Sequence, residues 1–571
     1  MSWKKYLAFS LAGMMAVSSL MGCGSKEGGG QAGNSGTVNE SGAGEDNLPV
    51  DESGNPSPFD KYKETVTLEI IQSINPSIPL PEGESATDNY YTRYIKENMN
   101  VDIKIKWQAS NADYNQKLNL AIASNDLPDI LVVGQQEYKK LVKADQLEDL
   151  TPYYETYASD IIKENNEMVE GKALEAATVE GKLFGLPNVL VEADGYNLMW
   201  IRQDWLDELG LEAPTTVEEM EAVAEAFVEN KMGGENTIGI LGPTINSRMY
   251  NDFISSSNNL NNLDGIFQAY KSWPGFWIED GSGKAVYGSI TAETKEALGE
   301  LQKMYASGIL DQELGVRKDA DEAWKSGKVG ILFSPWWHGY NIKDGLANNP
   351  ETEWKAYPAP LAEDGQWYPK LGGTTTTYCV VRKGYEHPEI AILLNNFLRR
   401  DEGKFTLETD LGYYPGRVVI APLDENTFTV NALRKRMSGE EVPDYDSINY
   451  KLLDNDLATL EECLNNYEDL GIENWNTESP NFGRLYSLLM GSGAVADAQE
   501  QGIVNKTYSL IYGQTATMEK KWANLKKKED EIFLKIIIGE APLSAFDTFV
   551  EEWKAEGGDE ITAEVQAEVE K

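Results

Sequence analysis

The sequence predicts an α/β fold in two lobes, with the chain crossing between them more than once. Three observations point there. The 571 residues exceed what one hydrophobic core serves, at roughly 100–200 residues per domain. After Pro58, short apolar runs that alternate like strands trade places with stretches of helical spacing, the pattern of βαβ units. Farther on, capped amphipathic helices again alternate with short buried-type strands, so a second α/β body follows the first.

Taken in order, Val66–Ile71 alternates as a strand, and a polar, proline-bearing loop follows from Gln72 to Asp88. A helix is expected over Asn89–Asn98, a strand over Val101–Trp107, a helix over Asp113–Ser124 and a strand over Asp129–Val133. Strands separated by helices at this spacing predict a parallel sheet with helices on both faces. Thr216-Val-Glu-Glu219 has the spacing of a capping box, with Met220, Val223 and Phe227 on one helix face. Leu298, Leu301 and Tyr305 repeat that spacing, and Gly308 stands where a C-terminal cap belongs. Buried-type strands are expected over Thr237–Leu241, Val329–Phe333 and Thr376–Val381, and a last amphipathic face joins Leu543, Phe546, Val550 and Trp553.

The first sixty residues speak to location. Lys4 and Lys5 precede an apolar run, Tyr6–Leu20, that is too short for a bilayer span of about 20 residues. It ends in Leu20-Met21-Gly22-Cys23, which resembles a bacterial lipobox; that resemblance implies removal of residues 1–22 and a lipid on Cys23. Residues 23–58 are rich in Gly, Ser, Asn and acid, with too little apolar surface to offset ordering entropy, and read as a flexible tether. The glycines at 28–30 belong to it and cradle no phosphate, since no strand precedes them. An extracytoplasmic protein, held at the membrane only by a lipid on Cys23, is expected. Cys379 and Cys463 read as buried small hydrophobes, with a disulfide between them unsupported.

Composition excludes several classes of function. Lys plus Arg number 50 and Asp plus Glu 93, a net charge of −43, which repels phosphate backbones and anionic lipid alike. Only His338 and His387 are present, so a multi-histidine metal site is excluded, and neither a metal nor a cofactor is expected.

Several stretches together resemble the family 1 extracellular solute-binding proteins, in the large lipoprotein branch that includes alginate-oligosaccharide receptors of ABC importers. They are Ala123-Ser-Asn-Asp-Leu-Pro-Asp-Ile130, Gly181-Lys-Leu-Phe-Gly-Leu-Pro187, Trp200-Ile-Arg-Gln-Asp-Trp-Leu206 and Leu209-Gly-Leu-Glu-Ala-Pro-Thr-Thr216. Gly327-Lys-Val-Gly-Ile-Leu-Phe-Ser-Pro-Trp-Trp337, Glu353-Trp-Lys-Ala-Tyr-Pro-Ala-Pro360, His387-Pro-Glu and Gly539-Glu-Ala-Pro continue the series. Their order and spacing, from about residue 65 to 565, carry the likeness. It implies a type II periplasmic-binding-protein-like fold whose hinged lobes close on an oligosaccharide and present it to the permease subunits of an ABC transporter. By that analogy one lobe spans 60–187 plus 373–402 and the other 188–372 plus 403–571, in a monomer. Relatives often place a calcium loop where this chain has Lys231-Met-Gly-Gly-Glu-Asn236; two oxygen-bearing side chains fall short of the six to eight ligands calcium takes, so no calcium is expected there.

A sugar offers apolar C–H faces and a rim of hydroxyls, so its site needs flat aromatic surfaces and planar polar groups. In α/β sheets such a site lies beyond the C-terminal ends of the strands. That rule selects Ser73, Asn75, Trp107 and Gln135 in the first lobe. In the second it selects Arg248, near Asn246, and the cluster Trp336, Trp337 and His338, which the resemblance strengthens. Trp273 and Trp277 form another aromatic loop, and Tyr196 and Tyr414 complete the candidates. Trp522 and Trp553 read as core, and the acid runs as solvated helix faces. The acidic balance favours a neutral glycan over an anionic one. A receptor and not an enzyme is expected, although the same aromatics would serve a surface-anchored glycoside hydrolase with two acids about 5–9.5 Å apart, or a peptide receptor or adhesin on this fold. No Gly-x-Ser-x-Gly, His-Glu-x-x-His or P-loop pattern is present.

Overall fold

The computed structural model describes residues 47–74, 80, 82–245, 247–254, 260–404 and 414–570. The expected signal peptide, Cys23, Asn75 and Asn246 lie outside the described residues. Residues 47–58, expected in the tether, instead close on the folded body. Asn47 Oδ1 accepts the Glu64 amide at 2.7 Å, and Asp51 ties a turn by accepting the amides of Ser53 and Asn55.

The first elements follow the expected order: β1 (Val66–Ile74), α1 (Tyr90–Met99), β2 (Val101–Ser110), α2 (Asn111–Ser124), β3 (Ile130–Gly134) and α3 (Gln135–Lys143). Asn89 and Thr92 cap the start of α1 reciprocally, and Asn100 ends it with φ at 57°. β1 and β2 pair in parallel, Val66 opposite Val101. Asp129 ties β3 to β1: its amide donates to Glu69 O at 2.9 Å, and its Oδ2 accepts the Glu69 amide at 2.7 Å. The far edge of β3 pairs antiparallel with Thr377–Val381, which in turn pairs antiparallel with Leu186–Pro187. The first body therefore holds a parallel pair, β1–β2, beside an antiparallel three-stranded sheet, and not the single all-parallel sheet expected. Strand 377–381 returns from far along the chain and closes no βαβ crossover, so nothing constrains it to run parallel. Leu68, Ile70, Ile95, Leu131, Val133, Cys379 and Leu394 fill this core. Val418 and Ile420 join it, on the other side of the boundary expected at 402/403.

The second body is built on β4 (Leu198–Arg202), β5 (Ile238–Ile240), β6 (Val329–Ser334) and β7 (Trp354–Tyr357), in sheet order β7-β4-β6-β5. Only the β6–β5 pair is parallel. Strand alternation then splits two cores: Leu198 and Trp200 face one, Met199 and Ile201 the other. The helices at 217–229, 292–307 and 518–569 cover one face, and those at 425–438, 453–463 and 482–500 the other. Thr216 and Glu219 form the expected capping box, and Gly308 ends its helix with φ at 86°.

Between the first core and the second body the chain crosses three times, and the crossings lie side by side. The Val189 amide donates to Val419 O at 2.9 Å and the Ala421 amide to Val189 O at 3.1 Å. Asn188 binds the third segment. Its Oδ1 accepts the Thr375 hydroxyl at 2.7 Å and the amides of Thr376 and Thr377 at 2.8 and 3.0 Å, while its own amide donates to Thr377 O at 3.0 Å. Asn188 is buried, so truncation strands several donors away from water. Asn188→Ala is expected to lower stability by roughly 2–4 kcal/mol in urea unfolding; a change under about 0.5 kcal/mol would contradict this account of the crossing.

Candidate ligand-binding cleft

Where β3 ends at Gly134 and α3 begins, the first body faces the second across a cleft of about 1170 Å³. α3 forms one wall, Gly373, Thr375 and Thr376 the floor, and Phe253, Ile254 and residues 512–516 the far wall. A recess of about 440 Å³ continues past Gln136 and Gln514 to Arg248, Asp252 and Trp522. The place obeys the rule for α/β sheets, beyond the C-terminal end of a strand.

The walls touch. Gln136 Nε2 donates to Gln514 Oε1 at 3.3 Å, and Lys139 Nζ stands 4.0 Å from Glu568 Oε1. A Cβ at Gly513 would come within 2.3 Å of Lys139 Nζ, so α3 lies directly on the 512–516 backbone. Tyr512 is locked: its hydroxyl donates to Leu371 O at 2.8 Å and accepts the Ser509 amide at 3.0 Å, and burial pushes its phenol up. Its ring underlies Gly373, where a Cβ would sit 3.2 Å from Tyr512 Cγ. Burial would raise the Glu564 carboxyl, but hydrogen bonds from Thr515 and Thr517 outweigh it and hold Glu564 below the usual carboxylate range. The cleft lining holds three lysines, 139, 140 and 143, against four glutamates, 137, 519, 564 and 568. The large acid excess of the whole chain does not reach it.

Of the expected residues, Gln135 lines this cleft and Arg248 the adjoining recess, where Arg248 pairs with Asp252. Ser73 and Tyr414 share a third recess of about 140 Å³ with Tyr114 and Arg417. Trp107 packs beside Tyr114 at 5.5 Å, with Lys117 Nζ over its ring at 4.9 Å. Trp273 is half-buried, its Nε1 donating to Tyr368 O at 3.4 Å. Trp336 is nearly buried and donates Nε1–H to Asp194 at 2.8 Å; Trp337 is half-buried against the same core. Neither lines the cleft.

Three expectations are corrected, because the side chains are core. Trp277 is fully buried, 5.1 Å from Tyr287 and 6.2 Å from Trp553, since its strand runs under the C-terminal helices. Tyr196 stacks on Trp367 at 5.2 Å, and its hydroxyl donates a hydrogen bond to Glu192. His338 is 1% exposed, turned inward by a 3₁₀ helix after β6 and enclosed by Trp324, Trp200 and Trp354 at 5.0, 5.5 and 6.4 Å. Burial pushes its imidazole down to about 4. In the loop 231–236, the Lys231 ammonium pairs with Glu235 at 2.8 Å. Sequence reasoning missed Phe253, Gln136, Tyr512 and Gln514.

The profile of the bacterial extracellular solute-binding protein family matches residues 81–405. The polygalacturonan/rhamnogalacturonan-binding protein YtcQ of Bacillus subtilis is 24% identical over 486 residues, covering 83% of this chain and 86% of that protein. An extracellular solute-binding protein of Bifidobacterium longum subsp. infantis superposes with a TM-score of 0.62 at 15% identity, covering 89% and 98% of the two chains. The calcium-free alginate-binding protein AlgQ2 superposes with a TM-score of 0.56 at 16% identity, covering 89% and 99%. These structures share the two-lobed fold.

With two histidines in the chain, proton NMR can follow His338 directly. Its signal is expected to stay that of a neutral ring down to about pH 4; titration near 6.5 would contradict the buried placement. Because the folded value lies below the unfolded one, the contribution to stability is full above about pH 6.5 and is lost as pH falls toward 4, about 3 kcal/mol in all.

Proposed function

The chain belongs to the bacterial extracellular solute-binding protein family, and from that membership we propose that it captures an oligosaccharide between its lobes and delivers it to the permease subunits of an ABC transporter. The cleft supports this reading: it sets the half-buried ring of Tyr512 among planar amides, Gln135, Gln136 and Gln514, and floor hydroxyls, over a far wall backed by the buried Phe253. YtcQ, whose name gives polygalacturonan and rhamnogalacturonan as what it binds, supports the sugar class. Action is by closure and not catalysis. The walls touch in this arrangement, so a ligand held between them contacts both lobes, and its differential affinity favours the closed arrangement over an open one about the three crossings. One lobe then comprises 47–187 with 377–402 and 414–421, the other 193–371 with 425–570. The protein works as a monomer outside the cytoplasm, anchored by a lipid on Cys23, and needs no cofactor.

Residues 24–571 would be unfolded thermally against neutral, acidic and amino oligosaccharides, fructo-nystose and oligogalacturonate among them. Ligand at about 100 times its Kd adds roughly 2.7 kcal/mol to the binding state. A raised midpoint with the glycan recovered intact is expected; cleavage of the glycan would replace the receptor with a hydrolase, and no shift across the panel would oppose the sugar reading. Tyr512→Ala is expected to weaken binding of the responding glycan by about tenfold or more, since an aromatic face supplies about 1 kcal/mol beyond its buried area; unchanged affinity would remove Tyr512 from the site.

A further inference from the structure

Beneath the far wall of the cleft the chain makes an excursion at 249–254 and 260–264 that is neither helix nor strand until Asp264. Irregular backbone in the interior has no ladder to satisfy its amides and carbonyls, so side chains must do it. Two charged groups supply the need. Lys370 Nζ donates to Asn251 O at 2.7 Å and to Pro274 O at 2.8 Å, and stands 2.5 Å from Asp264 Oδ1. Asp264 Oδ2 accepts the Asn251 amide at 2.8 Å. The peptide groups of residue 251 are thus held from both sides, one by each member of a single ion pair.

Both charged side chains are fully buried. The ammonium lies over the rings of Phe276 and Tyr250, at 5.1 and 5.3 Å. Burial pushes Asp264 up and Lys370 down, each opposed by the charge of the other. A buried pair of this kind adds little stability over apolar side chains of the same volume, because desolvation offsets the attraction. What it does add is position. Lys370 pairs in register with Thr507, on the strand that leads to Tyr512, and precedes Gly373 of the floor by three residues. Asn251 lies next to Asp252 of the recess and two residues before Phe253 of the far wall. One Nζ therefore ties two cleft-lining segments, the strand that leads into the floor and the stretch 251–254, to one another.

We propose that Lys370, clamped with Asp264 onto the backbone of Asn251, is the positioning residue of the cleft and sets ligand affinity by holding Phe253 and Ile254 against the floor. This rests on reading the cleft as the ligand site. The test uses residues 24–571 carrying Lys370→Met with Asp264→Leu, and as probe fructo-nystose or oligogalacturonate, whichever shifts the unmutated protein. The variant is expected to fold cooperatively, to exchange the amides of 251–254 at least tenfold faster, and to bind the probe at least tenfold more weakly. A purely structural pair would move the melting midpoint and leave the Kd of folded molecules alone, so affinity within twofold in a folded variant overturns the proposal. Should the double variant not fold, Asp264→Asn, which keeps the volume and an acceptor for the Asn251 amide, is read by the same two measurements and the same limits. Should the unmutated protein bind neither probe, the ligand reading fails by itself, and unchanged exchange at 251–254 then overturns the clamp independently.

Discussion

Asn188 holds the narrow strip through which the two halves of this protein are joined. Three segments that are far apart in sequence lie there side by side, and one buried carboxamide accepts from the side chain and backbone of the segment that forms the cleft floor. These crossings are the chain's own links between the lobes, which also meet where Arg399 Nη1 donates to Ile448 O at 2.8 Å. The strip also sets what the cleft can be: the floor residues Thr375 and Thr376 are the same ones that Asn188 binds. The geometry of the floor and the freedom of the lobes are one constraint.

Around that strip, polarity is distributed unevenly. The outside is strongly acidic, while the cleft is nearly balanced in charge. Behind the cleft the second body hides titratable groups that a stability argument would disfavour. Glu529, fully buried and pushed up by burial, accepts the hydroxyls of Ser289 at 2.9 Å and Tyr287 at 3.3 Å, and Lys526 reaches from the recess to within 3.6 Å of it. Lys370 and Asp264 lie in the same body. The Lys370–Asp264 pair supports backbone at residue 251 that is neither helix nor strand, in the stretch that runs on to Phe253 and Ile254 of the far wall.

The fold was largely legible because its elements announce themselves locally. Asn89, Thr216 and Gly308 sit where caps must sit, and the strands that lead into the first sheet alternate cleanly. Direction was less legible. Strand 377–381 looks like any buried strand, and only its distant pairing makes it antiparallel. Of the expected site residues, Gln135 lines the cleft and Arg248 its recess. The strand-end rule placed Gln135, since α3 starts directly at the end of β3. It failed at Trp336 and His338, where the chain turns inward after its strand and makes core of residues that look like a ligand platform. Tyr512 follows a strand of only two residues, Thr507–Tyr508, and so left no pattern to read.

Closure about the crossing strip is the central claim, and small-angle X-ray scattering of the mature chain with and without a bound glycan tests it most directly. The account predicts a smaller radius of gyration and a shorter maximum dimension when the glycan is bound. A scattering profile that does not change at saturating glycan would contradict it.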